Sequence, residues 1–125
     1  MAKKVISTKD APAAVGPYSQ AIQAGGLLFV SGQLGIDPAV GKLVEGVEAQ
    51  AERALDNMAA ILAAAGMGFG NVVKATVLLA SMDDFAKVNA IYGKRFPQDP
   101  PARAAFAVAK LPLGGLVEIE AIAAE

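Results

Sequence analysis

From Val47 to Ala65 the apolar positions fall at intervals of three and four: Ala51, Ala54, Leu55, Met58, Ile61, Leu62 and Ala65 line one side, and Glu52, Arg53, Asp56 and Asn57 take the other. This spacing predicts an amphipathic helix, with Glu48 near its positive end and Gly66 placed to close it. A second stripe of Phe85, Val88, Ile91 and Tyr92 predicts a helix that runs to about Arg95, opened by Ser81 and Asp84 in a capping box whose acid is one methylene short. Asn89 sits beside that stripe, either as a hydrogen-bonding flank residue or as a cleft residue.

Elsewhere the pattern is that of strands. Residues 5–24 hold an early strand candidate, a Gly16-Pro17 loop and then Ala21–Ala24; Gly25-Gly26 follows, and a pair of glycines between apolar runs predicts a tight hairpin into Leu27–Val30. Leu27–Val30 is apolar on both faces, so it is expected to be covered by a helix on one side and by another subunit on the other. Ser31-Gly32-Gln33 interrupts it, which reads either as an edge bulge or strand end or as backbone left open to a ligand. Asp37–Gly41 is a turn and Lys42–Val44 a short strand. The β-branched run Val72–Leu79 is another strand. Two last runs, one around Arg103–Val108 and one at Val117–Ile122, are joined by a Leu-Pro-Leu-Gly-Gly turn and read as neighbouring strands. The order predicts an α/β two-layer sandwich with two helices on one sheet face and the other face free to pack between subunits.

Composition narrows the chemistry. At 125 residues the chain is expected to form a single domain over 1–125, small for a catalytic cleft enclosed by one subunit. Apolar residues are 54% and charged ones only 18%, which favours self-association, although Ala and Gly supply much of that count. The sequence has no Cys and no His, so thiolate nucleophiles, disulfides, histidine bases and nearly all zinc sites are excluded. Net charge is -1 with scattered basic residues, so nucleic acid is not the expected main partner. The polar start and the lack of an apolar run near the roughly 20 residues of a membrane span point to an intracellular, cytoplasmic protein.

What remains is carboxylate, arginine and amide chemistry. Alternation puts Arg103, Ala105 and Ala107 on one face of their strand, so small neighbours leave room around a guanidinium suited to bidentate capture of a carboxylate. The alternative is a structural bridge from Arg103 to Glu118 or Glu120. Those two glutamates share one face of the last strand. Glu120 is the candidate base because the polar alternation ends beside it, and burial there would raise its affinity for a proton; a solvated sheet face is the alternative. Tyr18 can offer a hydroxyl or ring to a ligand, Tyr92 reads as helix core, and Asp83-Asp84 read as first-turn residues rather than metal ligands.

The combination of Gly16-Pro17-Tyr18-Ser19-Gln20, Ser31-Gly32-Gln33, Asn71-Val72-Val73-Lys74, Pro101-Ala102-Arg103 and Glu118-Ile119-Glu120-Ala121 resembles the RidA/YjgF family of reactive-imine deaminases, from Ile6 to Ala123. The resemblance implies a chorismate-mutase-like sandwich, a mixed sheet with two helices on one face, assembled as a homotrimer with ligand clefts between adjacent subunits. It also implies hydrolysis of 2-imino and 2-enamino acids such as 2-iminobutanoate and 2-iminopropanoate, with no cofactor and no metal. By motif, Arg103 would grip the substrate carboxylate and Glu120 would position or activate the attacking water. Tyr18, Ser31, Gly32 and Asn89 would line the cleft, with backbone at Arg103 and Ala104 near the imine. Two positions depart from the family pattern: Ala105 stands where many bacterial members carry cysteine, and Pro100 where an aromatic residue is usual. Some members carry ribonuclease or translation-inhibitor names, which leaves that activity, or non-catalytic metabolite binding or holdase-like action, as alternatives.

Overall fold

The structure, a computed structural model, describes residues 2–125. Strands β1 (Lys4–Ile6), β2 (Ala21–Ala24) and β3 (Leu27–Leu34) lead to a small ribbon of β4 (Ile36–Asp37) and β5 (Lys42–Leu43). Helix α1 (Val47–Ala64), strand β6 (Val72–Leu79), helix α2 (Phe85–Arg95) and strands β7 (Ala102–Ala107) and β8 (Val117–Ala124) complete the chain. The main sheet has six strands in the order β1-β2-β3-β8-β6-β7. Only β6 and β7 run parallel, as the crossover through α2 requires. No helix among the described residues is long and apolar enough to cross a membrane.

The helical stripe predicted for α1 is the centre of the core. Ala51, Ala54, Leu55, Met58, Ile61 and Leu62 are all buried against β3 and β8, and the alanines let the helix lie close to the sheet. Each of the larger side chains contributes about 1.5–3 kcal/mol by leaving water. The sheet supplies the other half through Leu28, Val30, Ala75, Val77, Leu79, Val117, Ile119 and Ala121. Both helices thus cover one face, and the opposite face is bare, with Leu27, Phe29 and Phe106 exposed on it.

Arg95 ties the helices together, reaching Asp56 at 2.8 Å and Glu52 at 3.2 Å. These exposed pairs set the helix register more than they stabilise it. The Gly25-Gly26 hairpin is as expected: both glycines have positive φ, 58° and 78°, and Ala24 pairs with Leu27 across them.

Four local expectations need correction. Asn57, placed on the polar side of the first helix, is fully buried and donates to the carbonyls of Leu34 and Ile36. The last two strands are not neighbours, because β6 lies between β7 and β8. Their connection is longer than a hairpin turn and passes the end of β6, where Val108 N donates to the Leu79 carbonyl and Ala80 N to that of Leu116. The second helix begins at Phe85, since Met82–Asp84 form a 3-10 turn whose Asp83 N–H is capped by the Ser81 hydroxyl at 3.1 Å. The interruption at Ser31-Gly32 is a bulge, but inside the sheet, as β3 has partners on both sides.

Candidate functional site

The bulge opens one half of the site. Val30 faces Ala121 and Gln33 faces Ile119, so Ser31 and Gly32 together stand opposite Glu120 alone. The unpaired backbone is fixed from the Tyr18 loop: the Ser31 hydroxyl donates to the Ser19 carbonyl at 2.6 Å, and Ser31 N to that of Gln20 at 3.0 Å. Gln20 is buried and holds the preceding loop, accepting from Thr8 N and donating to the carbonyl of Pro12. This loop carries Tyr18 to the rim with its side chain half exposed. Tyr18, Ser31, Gly32, Glu118 and Glu120 line one cavity of about 780 Å³, with Leu113 at its mouth.

Glu118 is the deepest acid in that cavity. A Cβ built on Gly32 would lie 2.5 Å from the Glu118 Oε2, so the carboxylate packs against the bulge and a larger residue there would push it aside. Burial pushes the Glu118 carboxyl above its usual range, and the negative charge of Glu120 adds to the effect. The burial expected at Glu120 therefore falls on Glu118, because the bulge draws the strand's backbone over that position, while Glu120 is exposed. Glu120 also faces a smaller hollow of about 220 Å³ on the bare sheet face, beside Lys74 and Thr76.

Arg103 forms the other half. It pairs in the sheet with Ala75, whose side chain lies in the helix-covered core, so its own side chain emerges on the helix side of the edge strand. The guanidinium Nη1 donates to Asn89 Oδ1 at 2.8 Å, and its carbon lies 4.8 Å from the Tyr92 ring centroid and 5.7 Å from that of Phe85. Two aromatic faces, rather than alanines alone, thus surround it. No carboxylate lies within ion-pairing distance of it among the described residues, so the bridge to Glu118 or Glu120 does not form. Arg103, Asn89, Tyr92, Pro100 and Pro101 line a cleft of about 420 Å³.

Within one chain these halves do not meet. Thr76 pairs with both Glu120 and Ala104, while Ala75 pairs with Arg103 and Ala121; the glutamates and the arginine therefore leave opposite faces of the sheet. Ala104 is exposed on the glutamate side of its strand. Tyr92, read from its stripe as core, is indeed buried but also backs the guanidinium. The spacing of Phe85, Asn89 and Tyr92 carried the signal for this, since 85, 89 and 92 share one helical stripe.

Fold and site together define a two-layer α/β protein with an arginine at a sheet edge, whose donors suit a small anion, and a pair of carboxylates, acceptors able to take a proton, on the opposite face. The family described as endoribonuclease L-PSP matches residues 8–125, and the chain belongs to this family, the RidA/YjgF proteins. The chain is similar to the 2-iminobutanoate/2-iminopropanoate deaminase of Bos taurus, 56% identical over 126 residues that span 100% of this chain and 92% of the relative. Among solved structures, RidA from an Antarctic Psychrobacter is 48% identical with a TM-score of 0.95, over 98% of this chain and 99% of that one. E. coli TdcF with bound serine is 38% identical with a TM-score of 0.93, over 98% of each chain.

Proposed function

We propose that this protein hydrolyses 2-imino acids and their enamine tautomers, among them 2-iminobutanoate and 2-iminopropanoate, to 2-oxo acids and ammonia. It works as one RidA-like domain over residues 1–125, in a chorismate-mutase-like homotrimer. The near full-length likeness to the Bos taurus deaminase supports the substrate class. The observation that carries the chemistry is the unpaired Arg103, oriented by Asn89 and separated by the sheet from both glutamates. An arginine at a sheet edge and a carboxylate pair on the other face can serve one small substrate when two copies place their halves together. The bare sheet face, with Leu27, Phe29 and Phe106 exposed, supports association of this kind.

In this reading Arg103 binds the substrate carboxylate and fixes the C=N carbon beside a water. The sequence expectation gives that water to Glu120. The geometry favours Glu118 for the proton transfer, with Glu120 beside it holding its proton affinity up. As the water oxygen bonds to the imine carbon, the glutamate takes one of the water's protons and returns it to the imine nitrogen. The carbinolamine then breaks its C–N bond as its hydroxyl proton passes through the glutamate to the departing nitrogen, releasing ammonia and leaving the 2-oxo acid. Tyr18, Ser31 and Gly32 line the water side, and Asn89 the carboxylate side.

The test is ammonia release from freshly generated 2-iminobutanoate, with the mass of the assembly measured in parallel. Arg103→Ala is expected to lower kcat/KM about 100-fold, close to the worth of a charged two-point contact, with the trimer intact. Wild-type release no faster than in buffer would sink the proposal. The endoribonuclease in the family description is a separate outcome: RNA cleavage that survives stringent purification and is lost in Arg103→Ala. Carboxylate binding without turnover would mark a metabolite-binding or holdase-like protein instead.

A further inference from the structure

The stripe Phe85, Asn89 and Tyr92 runs along one side of α2, where residues four and three apart stand above one another. All three touch a single group, the Arg103 guanidinium: one by a 2.8 Å hydrogen bond and two by ring faces at 4.8 and 5.7 Å. An exposed arginine at a sheet edge ordinarily samples several rotamers, and fixing them is an entropic cost of binding. Here one Nη1 donor is committed to an amide, the guanidinium carbon sits over two rings, and the remaining donors are left to the cleft. The Tyr92 hydroxyl is buried and has no hydrogen-bond partner. The contact that Arg103 makes with Tyr92 is therefore to the ring face and not to the hydroxyl.

We propose that Phe85, Asn89 and Tyr92 are positioning residues that clamp Arg103 and preset its fork for a carboxylate. The inference rests on the reading of Arg103 given above and assigns Asn89 to the arginine rather than to the substrate. A lysine cannot use the clamp, because an ammonium has neither the plane to lie against the rings nor the fork to divide its donors.

The experiment measures the affinity of the trimer for 2-oxobutanoate and for its uncharged amide by calorimetry, together with KM and kcat for the imine. Tyr92→Leu is expected to weaken 2-oxobutanoate binding and raise KM about tenfold, to leave amide binding within twofold and to move kcat little. Tyr92→Phe recovers most of the loss. Asn89→Ala, at an exposed position that the fold does not need, weakens the carboxylate about threefold to fivefold and keeps the proposal testable if Tyr92→Leu fails to fold. If Arg103→Ala loses the carboxylate while folded Tyr92→Leu and Asn89→Ala both bind it as wild type does, the clamp is overturned and the reading of Arg103 stands. If Arg103→Ala binds the carboxylate unchanged, the clamp and that reading fall together. A Tyr92→Phe variant as weak as Tyr92→Leu also overturns the clamp, since the hydroxyl and not the ring would then matter.

Discussion

Strands β7 and β8 are composed alike, short apolar runs each interrupted by charge, yet the fold treats them as opposites. β8 lies inside the sheet, and alternate residues Val117, Ile119, Ala121 and Ala123 are buried under the helices. β7 is an edge whose residues are exposed except for Ala105, which packs on the core. The charge in β8 is set against backbone: the Glu118 carboxylate packs on Gly32 of the bulge, where an added Cβ would push it aside. The charge in β7 is controlled by side chains, the Asn89 amide and two rings from α2. A buried strand thus raises the proton affinity of its acid, and an exposed one leaves its arginine oriented and, among the described residues, without an ion-pair partner. In the proposed reaction binding and proton transfer fall to different strands, since a single environment does not suit both.

The largest test of that contrast compares the two glutamates. Glu118→Gln is expected to lower kcat about 100-fold at neutral pH with KM nearly unchanged, the loss typical of a positioned acid or base. Glu120→Gln should cost less than tenfold, since it removes only a neighbouring charge. Equal losses, or a larger one at Glu120, would return the water to the exposed residue and erase the distinction drawn from burial.

The bulge is tested next through Gly32→Ala. The added methyl must displace Glu118, because the neighbour it meets at 2.5 Å is that carboxylate. The expected result is about tenfold lower kcat with little change in stability, since what gives way is the far end of a flexible side chain. Carboxylate affinity at Arg103 should change less than kcat, because the methyl meets Glu118 and not the guanidinium. Measured by denaturant unfolding and product calorimetry, a carboxylate affinity that falls as far as kcat would show that the methyl acts on binding rather than on the acid.

Much of this arrangement was legible in the sequence. The α1 stripe, the Gly25-Gly26 hairpin and the period-two faces of β7 and β8 depend on local spacing, and the structure keeps each of them. The motif residues separate into two groups that the sequence could not divide, because facing depends on register: Ala75 against Arg103 and Thr76 against Glu120. The insertion of β6 between the last two strands was hidden for the same reason. A Leu-Pro-Leu-Gly-Gly segment looks like a turn, and only the hydrogen bonds from Val108 and to Leu116 at the end of β6 show it crossing over a strand. Glu118 was passed over because its burial comes from a bulge on β3, far away in sequence. Tyr92 was assigned to the core correctly but incompletely, since a residue can fill the interior with one edge of its ring and carry a cation on its face.

The smallest effect is a dependence of stability on pH. Burial raises the proton affinity of Glu118 in the folded chain, so the native state binds this proton more tightly than the unfolded state does. Its contribution is then fully present below the ordinary glutamate range and is lost as pH rises through the higher folded value; stability falls with pH across that window. The direction is opposite to that of a salt-bridged carboxylate. Glu118→Gln removes the titration and cannot acquire the charge. Thermal unfolding between pH 4 and 8, roughly the interval that brackets an upward-shifted carboxylate, should therefore show Glu118→Gln matching the wild type in acid and exceeding it by a few degrees at neutral pH. Arg103→Ala should leave the shape of the wild-type curve unchanged, because its guanidinium pairs with no carboxylate among the described residues. Curves for Glu118→Gln and wild type that run parallel throughout would mean that the acid in β8 is as well solvated as the arginine in β7, and the difference between the strands would then be one of position alone.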